Sequence, residues 1–163
     1  MSTLFEEYVA RKLRLALVDT DLRVISQGGR LYCLQTDDHR GLFQTRPDIL
    51  VKRGDKVAQI IDTKWKRIAA RMDDAKQGVS QGDVYQMMAY GQLYKCDRLT
   101  LLYPHHPALN RIEGVHAAHQ VTGCSRRLET ATIDIGKGEM FSERLRAITD
   151  VGMPREYLSS SGV

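Results

Sequence analysis

The chain has 163 residues, 42% of them hydrophobic and 27% charged, with a formal net charge of +4, a balance that suits one globular domain able to bury one core. No apolar run approaches the roughly 20 residues of a membrane span, and the first residues lack the apolar stretch of a signal peptide, so a cytoplasmic protein is expected. Mild basicity is compatible with a polyanionic partner without requiring one. The three cysteines, Cys33, Cys96 and Cys124, show no C-x-x-C spacing; they speak against a disulfide framework or an iron–sulfur cluster and predict buried free thiols.

Leu4 to Val18 reads as a first helix, with Ser2 or Thr3 as N-cap and Glu6 and Glu7 near the positive end of its dipole. At about 100° per residue, Val9, Leu13 and Leu17 share a stripe with Glu6, whereas Glu7 falls beside Arg11 and Arg14. Glu6 is predicted to point inward, where a carboxylate needs a partner; the alternative is a dipole residue that reaches out to water. Leu22 to Ser26 and Arg30 to Gln35 read as strands joined through Gln27-Gly28-Gly29, which predicts an antiparallel hairpin. Thr36 to Thr45 reads as a polar loop that carries His39 and leads into Arg46, and these two either meet phosphate or are simply solvated.

The most informative stretch is Arg46 to Lys66. Ile49 to Val51 and Val57 to Ile61 are β-branched runs around a Gly54-Asp55 turn, so the chain folds back on itself. Side chains alternate along a strand, which puts Asp62 and Lys64 on one face with Ile60 and sends Ile61, Thr63 and Trp65 to the other. A three-residue loop, Gly54 to Lys56, sets Asp48 opposite Asp62; a two-residue loop breaks that register. Two carboxylates held that close repel each other unless a cation sits between them, and hard oxygen ligands suit Mg²⁺ or Mn²⁺. Lys64 then stands ready to orient or deprotonate a water attacking a phosphodiester. The plain alternative is an exposed hairpin with a weak Asp62–Lys64 pair.

Arg67 to Gly82 reads as a mobile connector, with a helical turn near Ile68 to Met72. Lys66, Arg67 and Arg71, with Arg46, are its candidate nucleic-acid contacts. Asp83 to Tyr94 reads as a helix capped by Asp83 with Gln86 in capping-box spacing; Gln86 and Tyr90, four apart, share one face. Arg98 to Tyr103 is a buried-strand candidate. His116-x-x-His119 with Cys124 offers three zinc ligands without an evident fourth, and loop histidines are the default. Thr130 to Ile135 reads as a late strand, Phe141 to Thr149 as a short amphipathic helix, and 159–163 as a frayed tail after a domain spanning 1–158.

Pro47-Asp48 followed by Asp62-Thr63-Lys64 resembles the PD-(D/E)xK signature of the restriction-endonuclease-like superfamily, and RPDILV with IIDTKWK resembles the McrC nuclease subunit of 5-methylcytosine restriction systems. The resemblance runs from Leu4 to about Tyr103 and covers only the nuclease region of such proteins. It implies an α/β fold, a mixed sheet with a central antiparallel hairpin flanked by helices. It also implies Asp48, Asp62, Glu6 and the Thr63 carbonyl as ligands of Mg²⁺ (or Mn²⁺), and Lys64 at the attacking water. The Gln86-x-x-x-Tyr90 pair is similar to one in the RecB-like branch, where it positions the active site or the strand. The expected function is DNA endonuclease within a McrBC-like system, with DNA as substrate and a McrB-like GTPase as possible partner, although the region that engages that GTPase has no counterpart here. No P-loop is present, so GTP hydrolysis by this chain is not expected. A RecB-like repair exonuclease and a non-catalytic, partner-dependent DNA- or GTPase-binding subunit are the alternatives.

Overall fold

In the computed structural model, which describes residues 2–68, 76 and 78–149, the elements follow in the order α1 (Ser2–Ala16), β1 (Leu22–Ser26), β2 (Tyr32–Gln35), β3 (Gly41–Gln44), β4 (Ile49–Arg53), β5 (Lys56–Thr63), α2 (Gln81–Leu93), β6 (Arg98–Pro104), β7 (Gly114–Gln120), β8 (Arg127–Ile133) and α3 (Phe141–Ile148). Six strands make one mixed sheet, β1-β4-β5-β6-β8-β7, while β2 and β3 form a separate ribbon. β4 pairs antiparallel with β1 and β5; β5, β6 and β8 run parallel; β7 returns antiparallel on β8. Parallel neighbours need a crossover, and α2 supplies it between β5 and β6.

The sheet separates two apolar clusters. On one face Val9 and Leu13 of α1 and Leu145 of α3 pack with Val51, Ile61 and Leu102. On the other, Met87 and Tyr90 of α2 pack with Leu50, Ile60, Leu99 and Leu101. The strict alternation of Ile60 and Ile61 between these clusters is the strand periodicity expected of a two-sided sheet. α/β architecture and a hairpin inside a mixed sheet agree with expectation.

The hairpin turn itself does not. Arg53 pairs with Lys56, so the loop has two residues, Gly54 and Asp55, and Gly54 takes a positive φ of 57° that suits glycine. A bulge restores the expected register: Lys52 faces Val57 but Val51 faces Gln59, leaving Ala58 as the extra residue. From there Ile49 lies opposite Ile61, and the next step outward brings Asp48 against Asp62.

Several other expectations are corrected. β1 does not pair with the following strand but with β4, Ser26 opposite Ile49. Val24 gives β1 a core residue, whereas all four β2 residues are exposed, so β2 has no apolar face to contribute to the main sheet. It pairs with β3, which replaces the expected 36–45 loop. The ribbon is pinned to α2 by the Tyr94 hydroxyl, 2.7 Å from Thr45 Oγ1; a Cβ at Gly29 would collide with that phenol. α1 begins at Ser2, so Ser2 is helical rather than a cap and no acidic residue lies in the first turn. Ser80, not Asp83, caps α2, its side chain accepting from the Asp83 N–H. β7 was not anticipated, and His116 and His119 lie on it rather than in a loop. Cys96 is buried, but Cys33 is exposed and Cys124 intermediate. Arg71, most of the 68–72 turn and the tail lie outside the described residues.

Candidate active site at the end of the central hairpin

The start of β4 and the end of β5 meet at one end of the sheet, and both apolar runs bury the residues leading there: Ile49, Leu50, Ile60 and Ile61 are each at most 3% exposed. Asp62 follows and is itself buried. Asp48 is held by β5 directly, since its Oδ2 accepts from the Thr63 N–H and Thr63 Oγ1, both at 2.8 Å. Its backbone carbonyl accepts from Gln27 N at 2.7 Å, which ties it to the strand on the other side. Burial first, and then the charge of Asp48, raise the Asp62 pKa from 3.8 to about 6 despite Lys64 beside it.

The Lys64 ammonium is 2.6 Å from Asp62 and 3.3 Å from Asp83, and it donates to Gln86 Oε1 at 3.1 Å. Burial opposes its charge, but Asp62 and Asp83 outweigh that and hold its pKa above the ordinary lysine value. Lys64 is therefore a cation as placed, which favours orientation and charge balance over proton abstraction. The Gln86 amide is fixed at both ends, its Nε2 donating to the Tyr90 hydroxyl at 2.9 Å. Tyr90 in turn lies against the Arg46 backbone; desolvation and the Asp62 charge push its pKa up, so it stays a phenol. α2 thus reaches Lys64 through Asp83 and Gln86, and the start of β4 through Tyr90.

Glu6 is half-buried while Glu7 is exposed, as the helical stripe predicts. Desolvation and Asp48 raise the Glu6 pKa, while Gln27 and Arg46 oppose the rise. Arg46 bonds to Gln27 Oε1, Lys66 to Asp83 Oδ2 at 2.5 Å, and Arg67 is exposed. Asp83 is the residue that sequence reasoning misassigned. Its signal was available, because Ser80 is itself a favoured N-cap residue, and a cap there places Asp83 in the first turn of α2 rather than at the cap.

Among the described residues no three His, Cys, Asp or Glu side chains converge as a closed metal cage. The donor set nonetheless fits Mg²⁺, which is commonly held by one or two carboxylates with several waters. Asp48 and Asp62 supply those carboxylates, and the strained ionisation of Asp62 is what a cation relieves.

A mixed sheet between helical layers, with an acidic pair and a half-buried lysine at one end of its central hairpin, defines an α/β protein. The family model for the McrBC 5-methylcytosine restriction system component matches residues 1–104, more than half of the chain, and the chain belongs to that family. No curated protein matches it. Among solved structures, a chain in the refined half-complex from the tetradecameric assembly of Thermococcus gammatolerans McrB AAA+ hexamers with bound McrC shares the fold, with a TM-score of 0.68 over 91% of this chain at 14% identity. The present chain spans 32% of that chain's length.

Proposed function

We propose that this chain is the metal-dependent DNA endonuclease of a McrBC-like modification-dependent restriction system, built on a restriction-endonuclease-like core and working with a McrB-like GTPase. The observation that carries the reading is the position of Lys64, shared between Asp62 and Gln86 beside the Asp48–Asp62 pair. Family membership supplies the biological setting. Asp48, Asp62 and the Thr63 carbonyl would hold Mg²⁺, with Glu6 reaching in from α1 beside Asp48. When bound, the ion supplies Lewis acidity toward a phosphate oxygen and lowers the pKa of a coordinated water.

The protein's own part is placement. Lys64 orients the attacking water and offsets charge building on the phosphate. Gln86 and Tyr90 keep the Lys64 ammonium from swinging toward solvent, and Asp83 holds it from the second side. Burial of Asp62 keeps competing water out.

The test is cleavage of methylated and unmethylated plasmid with Mg²⁺ or Mn²⁺, with and without a McrB-like GTPase. Nicking or linearisation that disappears in Asp62→Ala and Lys64→Ala is expected. A wild-type protein that neither cleaves under any of these conditions nor binds the metal overturns the reading.

A further inference from the structure

Beside Lys64, on the side away from Asp48, lies a cleft of about 510 Å³ lined by Trp65, Lys66, Arg67, His105, His106 and Ile135. Its position follows from the topology. β5 and β6 are parallel with Thr63 opposite Leu102, so the residues leaving the two strands emerge at the same end of the sheet, about 4.8 Å apart. The cleft therefore opens at the same end of the sheet as the Asp62–Lys64 pair.

Its walls have the chemistry of a nucleotide site. Trp65 is 39% exposed, and its ring is braced against Phe5 at 5.3 Å between centroids. His105 is held by Thr132 Oγ1 at 2.8 Å and stacks on His116. His106 presents Nε2 to the Ile68 carbonyl at 3.2 Å, while its buried Nδ1 has no hydrogen-bond partner among the described residues. A buried ring nitrogen of that kind calls for a ligand or water. Among the described residues no carboxylate lines the cleft. Lys66 and Arg67 are both exposed, Lys66 sharing its charge with Asp83 and Arg67 making no ion pair with the other described residues. An aromatic platform beside fixed basic groups is how proteins hold a single nucleotide: the base stacks, and the phosphate meets the cations.

We propose that this cleft binds one nucleotide of the DNA strand next to the bond being cut, its base against Trp65 and its phosphate toward Arg67 and His105. The assignment rests on the nuclease reading, which it extends from the reacting phosphate to its neighbour.

Trp65 is the chain's only tryptophan, so its emission reports on the cleft directly. Short single-stranded and duplex DNA would be titrated in EDTA, where no turnover occurs, with anisotropy of a labelled strand measured in parallel. Saturable quenching that tracks the anisotropy and weakens with salt is expected, and Arg67→Ala and His105→Ala should each weaken binding roughly fivefold or more. Arg67 is exposed, so its variant guards against a folding artefact at His105. Binding without quenching, binding unmoved by either variant, or no binding of either DNA overturns the proposal. Quenching by a protein that neither cleaves, with or without a McrB-like GTPase, nor binds metal leaves the cleft standing and sinks the nuclease reading; cleavage without quenching does the reverse.

Discussion

Asp83 places one carboxylate oxygen 3.3 Å from the Lys64 ammonium and the other 2.5 Å from that of Lys66. One residue in the first turn of α2 thereby holds both lysines that follow the central hairpin. Asp83→Asn keeps the shape and removes the charge, so Lys64 loses its second counter-ion. We expect cleavage to slow about tenfold while DNA affinity changes little, because the loss falls on positioning. Single-turnover rates and a separate binding isotherm check this; equal loss in both would mean that Asp83 acts on DNA binding instead.

Asp62 works against the fold when ionised. Its folded pKa of about 6 lies above the 3.8 of the free carboxyl, so the folded chain binds its proton more tightly. The penalty is absent below about pH 4, grows between pH 4 and 6, and stands in full above that. Asp62→Asn should therefore stabilise the metal-free protein by up to about 2–3 kcal/mol at pH 7.5 and not at pH 4, while abolishing cleavage. Melting curves in EDTA at the two pH values test it. Adding Mg²⁺ should raise the wild-type melting temperature and leave that of the variant unchanged.

The Ala58 bulge sets which residues meet at the site. Deleting Ala58 makes the ladder regular: Val57 stays opposite Lys52 and Gln59 opposite Val51, so Ile60, Ile61 and Asp62 keep their partners and faces, and only the extra twist of the bulge is lost. The deletion variant is expected to unfold cooperatively and to keep its site, at a cost of no more than about 1–2 kcal/mol, whereas inserting a residue after Ala58 shifts the register by one and should abolish both. Ala58→Gly, which keeps the count, should cost no more than about 1 kcal/mol. A deletion variant that fails to fold, or an insertion variant that folds and cleaves, would show that the register is not set by the bulge in this way.

The three thiols should separate by reactivity. Cys33 is exposed and Cys96 buried, and burial pushes the Cys96 pKa from 9.0 up to about 11. Thiol labelling at pH 8 should modify Cys33 first and Cys96 only on unfolding. Because the folded pKa is the higher one, stability should fall as pH rises from 9 to 11, and Cys96→Ala should remove that part of the loss.

Much was legible in the residues themselves. β1 begins and ends where predicted, since its five residues follow local strand preference and carry one core residue, Val24. The sharing of one face by Asp62 and Lys64, and by Gln86 and Tyr90, needed only the periods of a strand and a helix. The inward turn of Glu6 came from the same source.

Periodicity, meaning which side chains share a face within one element, is therefore written into the residues locally. Which elements meet depends on long-range packing. Gln27-Gly28-Gly29 looks locally like a hairpin turn, but β1 passes over its neighbour in sequence to pair with β4 because Val24 has a core to join and β2 does not. The Asp48–Asp62 register survived a wrong loop length because Ala58 bulged, a compensation set by packing on both faces of β5. Asp83 reaches the lysines because α2 must cross between parallel strands, and no local signal specifies where a crossover lands. Burial of that kind is a property of the assembled sheet, which is why the raised pKa of Asp62 and the cationic state of Lys64 emerge only there.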